Sequence, residues 1–247
     1  MSENIFDLTG KVSLVTGGNG GIGLGMARGL ARAGSDVVVW GRNAEKNAAA
    51  REELAQYGVR ILTREIDVTS EQSVTDGFAD ALSQMGRIDF VAANAGTGSR
   101  TPFVELETEA WNRTFALNLD SPMWLFREAC RHMSQRAEAG DPGGSIAVVS
   151  SIAALTPAPT AQAYAASKAG AIALVRSIAV GYGQVGIRAN AILPGFIRSD
   201  LSAHLQQMEK FTRNIIHGRV PVKRWGEGSD FEGIAVYLAS DLSSFHT

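Results

Sequence analysis

A single cysteine, Cys130, stands among 247 residues, so the chain can form no internal disulfide and one thiol cannot build a zinc site. It lies in Leu-Phe-Arg-Glu-Ala-Cys-Arg-His and reads as a packed helix residue. Neither sign of charge is in excess: 23 Lys and Arg face 25 Asp and Glu, for a net charge of −2. That balance provides no basic surface for nucleic acid. The four histidines, His132, His204, His217 and His246, lack metal-ligand spacing, so no metal is expected. No Gly-x-Ser-x-Gly elbow surrounds Ser150 or Ser151, which argues against Ser-His-Asp hydrolysis. No apolar run approaches the roughly 20 residues of a membrane helix. The start, Met1 to Asp7, has no basic segment followed by an apolar one, hence no secretory signal. These absences point to a cytoplasmic protein without membrane or nucleic-acid partners.

What is present is an alternation. Short apolar runs at Val12–Thr16, Asp36–Trp40, Arg60–Ile66, Ile88–Ala93, Ser145–Ser150 and Ile187–Leu193 carry β-branched residues and are too short for typical helices. Longer segments near Gly21–Ala33, Ala44–Tyr57, Ser70–Met85, Thr108–Arg136 and Gln162–Tyr182 read as helices. Such alternation predicts right-handed crossovers in a doubly wound α/β fold, a parallel sheet with helices on both faces. No linker or repeat interrupts it, so residues 1–247 are read as one domain. The rhythm breaks from about 194 to 228. This stretch follows the sixth strand, and ligands of doubly wound sheets bind beyond the strands' carboxyl ends. It is therefore read as a mobile lid over a small-molecule substrate.

Thr16-Gly-Gly-Asn-Gly-Gly-Ile-Gly23 follows the first strand and opens a helix. Glycine allows the tight turn and lets backbone approach a pyrophosphate, whose charge suits the helix start. The second strand ends Trp40-Gly-Arg-Asn43. An acid here would take the ribose 2′-hydroxyl of NAD, whereas an arginine accommodates a 2′-phosphate. Gly41 stands where the acid would be, and Arg42 follows, which favours NADP(H) over NAD(H). Asn19 adds no second positive charge to the glycine loop.

Tyr164 and Lys168 are four apart in Tyr-Ala-Ala-Ser-Lys and would share one helix face. A neighbouring ammonium favours phenolate and lowers a tyrosine's pKa, making a tuned proton donor or acceptor.

In order and spacing, Thr16–Gly23, Asp67-Val68, Asn94-Ala95-Gly96, Asn118, Ser151, Tyr164, Lys168 and Pro194-Gly195 resemble the short-chain dehydrogenase/reductase family, from about Leu8 to the last residue. The resemblance implies a single-domain Rossmann fold, a nicotinamide cofactor and a catalytic Asn-Ser-Tyr-Lys group. By that resemblance Tyr164 is the acid/base, and Lys168 lowers its pKa and binds the nicotinamide ribose. Ser151 holds the substrate oxygen, and the counterpart of Asn118 holds a water linking Lys168 to solvent. Resemblance also places Gly17, Asn19, Gly21, Ile22 and Gly23 at the pyrophosphate turn, and Asp67 and Val68 near the adenine. Asn94, Ala95 and Gly96 would run along the cofactor. Pro194, Gly195, Ile197 and Ser199 would face the nicotinamide, with Ser199 where the family usually has Thr.

The expected activity is NADP(H)-dependent interconversion of a secondary alcohol and a ketone. An NAD-dependent sugar or polyol dehydrogenase and a non-catalytic dinucleotide sensor stay open beside it. The Ala-rich helix from Tyr164 corresponds to a region that in the family often joins subunits, so a homo-oligomer, tetramer or dimer, is expected. Family chains usually continue past Leu238–Phe245 into a final strand, and this chain stops at Thr247, so that strand is expected to be missing.

Overall fold

The computed structural model describes residues 4–98, 100–156 and 159–247. Residues 1–3, part of the segment read above for a secretory signal, lie outside the described residues. Six strands form one parallel sheet: β1 (Val12–Thr16), β2 (Asp36–Gly41), β3 (Ile61–Glu65), β4 (Phe90–Ala93), β5 (Gly144–Val149) and β6 (Ile187–Ile192). Their order is β3-β2-β1-β4-β5-β6. Ser13 lies opposite Val37 in β2 and Phe90 in β4, so the chain reverses direction across the sheet between β1 and β4. That reversal is the switch point at which such sheets open a crevice.

Side chains alternate along each strand, and the two faces bury two cores. Leu14, Val38, Trp40, Val91 and Val148 pack against α3 (Glu71–Met85), α5 (Ser121–Glu138) and α6 (Gln162–Tyr182). Val15, Val37, Val39, Ala92 and Val149 pack against α1 (Gly21–Arg32) and α10 (Glu232–Ala239). Near-continuous Val, Ile and Ala in the strands therefore reflect burial on both sides. Helix α2 (Ala44–Ala55) starts at Asn43, whose side chain accepts from the Lys46 amide. Asn43 thus supplies the first turn with an acceptor it otherwise lacks.

The long helix expected over Thr108–Arg136 is one continuous rod with a flaw in it. It runs as α4 (Thr108–Phe115), a π-turn over Ala116–Asp120, then α5. The expected lid carries structure of its own, α7 (Ala203–Gln206), α8 (Glu209–Phe211), a second π-turn and α9 (His217–Arg219). Leu205, Ile216 and Trp225 bury one another there, backed by Phe196 and Phe211. Its two ends are joined: Arg198 N–H donates to Gly226 O at 2.8 Å, and Gly226 N–H donates to Phe196 O at 2.9 Å.

One expectation requires correction. Gln162–Val185 is long and apolar enough to cross a membrane by length and composition, with mean hydropathy 1.2. The fold accounts for it otherwise. Ala163, Ser167, Lys168, Ala171, Ile172 and Val175 form a buried stripe on α6, and Ala171 and Val175 meet the sheet core. At the other limit, β6 is the last strand among the described residues. Its outer side is met by Thr247 and His246, through Ala189 N–H to Thr247 Oγ1 and Asn190 Nδ2 to His246 O, both at 2.9 Å.

Candidate active site

Because every strand runs the same way, Thr16, Gly41, Ala93, Val149 and Ile192 all end at one edge of the sheet, and the loops leaving them converge. The first of these loops is the glycine turn. Gly17 and Gly21 adopt φ of +61° and +51°, a region glycine enters without strain. Gly23 is required by space, since a Cβ there would lie 2.2 Å from Gly17 O. Gly20 precedes α1 in extended backbone, no side chain caps the helix, and its first turn carries no acid. The first amides of α1 therefore present donors and the positive end of the helix dipole. A Cβ on Gly20 would meet nothing within 4 Å, so the space before them is open. This uncapped, open helix start fits a dinucleotide pyrophosphate. Ile22 turns inward and packs against the α1 core.

Asn94 holds this turn to β4. Its Nδ2 donates to Thr16 O at 3.0 Å and Gly17 O at 3.2 Å, while Thr16 Oγ1 accepts from the amides of Asn94 and Ala95, each at 3.0 Å. Asn94 is thus a brace across the switch point, and its side chain is committed to backbone. Thr16 belongs to the same brace, and only its place at the end of β1 hinted at that.

At the far end of the crevice, Arg42 is exposed beyond β2. Asp67 is held below the usual carboxylate range by the hydroxyl and amide of Thr69, with a smaller contribution from Arg42. Val68 is buried in the core that contains Trp40.

Tyr164 and Lys168 emerge from the first turns of α6, and Ser151 from the end of β5. Lys168 is 4% exposed, and its ammonium donates to Val149 O at 2.7 Å. Burial pushes its pKa down to about 8. Its Nζ lies 5.9 Å from the Tyr164 ring centroid. Burial raises the phenol above its ordinary value, and the facing Ser151 hydroxyl opposes that rise. This differs from the expected acidified phenol: the ammonium is turned to a carbonyl, and desolvation is the largest influence on the hydroxyl. Ser151 Oγ also accepts from the Ala153 amide at 3.1 Å, which fixes its direction.

Asn118 occupies the π-turn and is fully buried. Its Oδ1 accepts from Thr97 N–H at 2.9 Å, and its Nδ2 donates to Thr97 O at 2.9 Å and Ser167 Oγ at 3.0 Å. Both amide protons are used, so the side chain locks the 94–98 loop onto α6. Gly96 is pressed into this group. A Cβ there would lie 3.1 Å from Lys168 Nζ and 3.2 Å from Asn118 Oδ1. Thr97 and Ser167 were not anticipated, because a lone Thr or Ser in sequence carries no signal of its partner.

The loop after β6 completes the crevice. Pro194 O accepts from the Ile152 amide at 3.1 Å, and Gly195 follows, exposed. Ile197 pairs with Gly226. Ser199 covers the glycine turn, its Cβ 3.3 Å from where a Cβ on Gly21 would be. The structure thus brings Tyr164, Lys168, Ser151, Asn118 and Gly96 together, and sets Ser199 against the glycine turn.

Comparison with known proteins agrees with this architecture. The family profile described as enoyl-(acyl carrier protein) reductase matches residues 17–247. Gluconate 5-dehydrogenase of Gluconobacter oxydans is 34% identical over 98% of this chain and 92% of its own. A short-chain type dehydrogenase/reductase from Mycobacterium ulcerans superposes with a TM-score of 0.90 at 33% identity, covering 98% of this chain and 87% of the other. A gluconate 5-dehydrogenase from Burkholderia cenocepacia, in complex with NADP and tartrate, has a TM-score of 0.91 at 31% identity, covering 98% and 92%. Matched in sequence and in fold along nearly its whole length, this protein belongs to the short-chain dehydrogenase/reductase family and is an oxidoreductase of CH–OH groups that uses a nicotinamide dinucleotide.

Proposed function

We propose that the chain interconverts a secondary alcohol and a ketone of the polyhydroxy-acid class, prefers NADP(H), and uses Tyr164 as its acid/base. The observation that carries this is the convergence of Ser151, Tyr164 and Lys168 beside the uncapped start of α1. The polyhydroxy-acid class is suggested by the gluconate dehydrogenases among its relatives, one of them holding NADP and tartrate. The NADP(H) preference rests on exposed Arg42 following side-chain-free Gly41.

Gly17, Gly21 and Gly23 with the α1 amides would hold the pyrophosphate, and Arg42 a 2′-phosphate. Lys168 would meet the nicotinamide ribose, and Ser199 the carboxamide. The bound nicotinamide supplies or accepts the hydride. Ser151, fixed by the Ala153 amide, would orient the substrate oxygen and stabilise its developing charge. Tyr164 gives its hydroxyl proton to that oxygen in reduction and takes it back in oxidation. Lys168 keeps a positive charge behind the site below about pH 8. Asn118 acts through the loop it locks.

The test is a panel of sugar acids, polyols and simple ketones with each dinucleotide, for wild type and Tyr164→Phe. The variant should lose about 10²- to 10⁴-fold in kcat while its dinucleotide affinity persists. Near-normal turnover by Tyr164→Phe would refute the assignment. We further place the protein in the cytoplasm as a homo-oligomer, dimer or tetramer, joined through the Ala-rich part of α6. Light scattering reads that mass directly.

A further inference from the structure

Asn47 has no part in the site as described so far, yet it is tied to three of its edges. It lies in the second turn of α2 and is 5% exposed. Its Nδ2 donates to Gly41 O at 3.0 Å and to Arg64 O at 3.1 Å, joining the ends of β2 and β3. With both amide protons directed at carbonyls, its Oδ1 faces the opposite way, and there it accepts from Asn19 Nδ2 at 2.7 Å. Asn19 belongs to the glycine turn. The two amides therefore meet directly over Gly41.

The consequence for position 41 is steric. Gly41 does not adopt positive φ, so its backbone would suit any residue. Space forbids one: a Cβ there would lie 2.1 Å from Asn19 Nδ2 and 2.5 Å from Asn47 Oδ1. A surface amide such as Asn19 could ordinarily swing away from a new methyl group. Here it is held by Asn47, which is itself fixed by two backbone carbonyls in a buried place. Position 41 is where a carboxylate would take a ribose 2′-hydroxyl. An acidic side chain there would also bring its charge against Asn47 Oδ1.

We propose that Asn47 is a cofactor-selectivity residue: by pinning Asn19 across Gly41 it closes the carboxylate seat that a 2′-hydroxyl would need, leaving Arg42 to face a 2′-phosphate. The proposal rests on the 2′-phosphate reading of Arg42. Asn47 is a positioning residue, acting through Asn19 without touching the dinucleotide.

The decisive comparison uses wild type, Gly41→Asp, Asn47→Ala and the double variant, with NADPH and NADH dissociation constants measured by calorimetry and folding followed by circular dichroism. Gly41→Asp alone should improve NADH affinity by less than about twofold, because the carboxylate cannot seat. The double variant should improve it by about tenfold, a coupling of the size seen between residues in direct contact. Asn47→Ala alone should weaken NADPH more than NADH, lowering that preference by about three- to tenfold. An equal NADH gain in the single and double variants overturns the proposal. If Asn47→Ala does not fold, Asn19→Ala combined with Gly41→Asp removes the obstructing amide while keeping the buried bonds, and is judged by the same comparison. The underlying reading fails separately: wild type binding NADH more tightly than NADPH would remove the preference, and the coupling between positions 41 and 47 would still be decided by NADH alone.

Discussion

At the scale of single residues, Tyr164 differs most from what its neighbours in sequence imply. Lys168 four residues on suggests an acidified phenol, yet the folded site raises the phenol, chiefly through burial. Spacing tells which groups share a helix face; it does not tell which carbonyl an ammonium will choose, and Lys168 chooses Val149 O. A phenol held protonated is poised to donate, so reduction can start from the dominant form across neutral pH. Oxidation needs the phenolate, whose fraction grows about tenfold per pH unit below the phenol's pKa. The rate of alcohol oxidation at saturating substrate is therefore expected to climb with pH from neutrality upward, while ketone reduction is level or falling. Initial rates in both directions across that range test this, and oxidation independent of pH would contradict the raised phenol. Tyr164, Lys168, Ser151 and the glycines were legible in sequence because each sits at a fixed spacing from a partner or a strand end. Asn47, Thr97 and Ser167 were not, since the bonds that tie them into the site run to groups 6, 21 and 49 positions away that only the fold brings near.

At the scale of elements, strand and helix boundaries follow the sequence closely, because period and β-branching report burial on one or two faces. Arg60–Ile66, read as one strand, shortens to Ile61–Glu65, and Ile88–Ala93 shortens to Phe90–Ala93. The π-turn at Ala116–Asp120 left no compositional trace. It shows only as one extra residue of helix placing Asn118 inward. Glycine in helices separates packing from propensity in a testable way. A Cβ on Gly25 in α1 would lie 1.8 Å from Gly228 O, a backbone atom that cannot turn aside. The helix-propensity gain of Gly→Ala is about 1 kcal/mol, and overpacking costs about 1–3 kcal/mol. The clash should win, so Gly25→Ala is expected to lower stability and to weaken dinucleotide binding as α1 is displaced. Gly233 in α10 is exposed, and a Cβ there meets nothing within 4 Å. Gly233→Ala should therefore stabilise by up to about 1 kcal/mol. Urea unfolding of both variants measures the two signs; a stabilised Gly25→Ala would mean that α1 and the Gly228 turn pack less closely than described.

At the scale of the whole molecule, the sheet is divided at its switch point. Strands β1, β2 and β3 carry the glycine turn, Asn47 and Arg42, whereas β4, β5 and β6 carry Ser151, Tyr164, Lys168 and the folded lid. The halves share one sheet, and side-chain bonds also cross between them. Asn94 braces the floor, and Lys46 Nζ meets Asp200 Oδ2 at 2.6 Å near the rim. Both rim partners are well exposed, so that ion pair adds little on its own. A dinucleotide lying along the crevice would touch both halves, and its binding energy would appear directly as added stability of the native state. At a hundredfold excess over Kd that amounts to about 2.7 kcal/mol. For a chain of this size each kcal/mol moves Tm by about 2–4 °C, so a rise of roughly 5–10 °C is expected. The proposed selectivity makes the rise larger for NADPH than for NADH at equal concentration, and Arg42→Ala should bring the two together. Differential scanning fluorimetry with each dinucleotide reads this without any substrate. Equal shifts in the wild type would show that the 2′-phosphate adds no binding energy at Arg42, and with it the preference for NADP(H) would be lost.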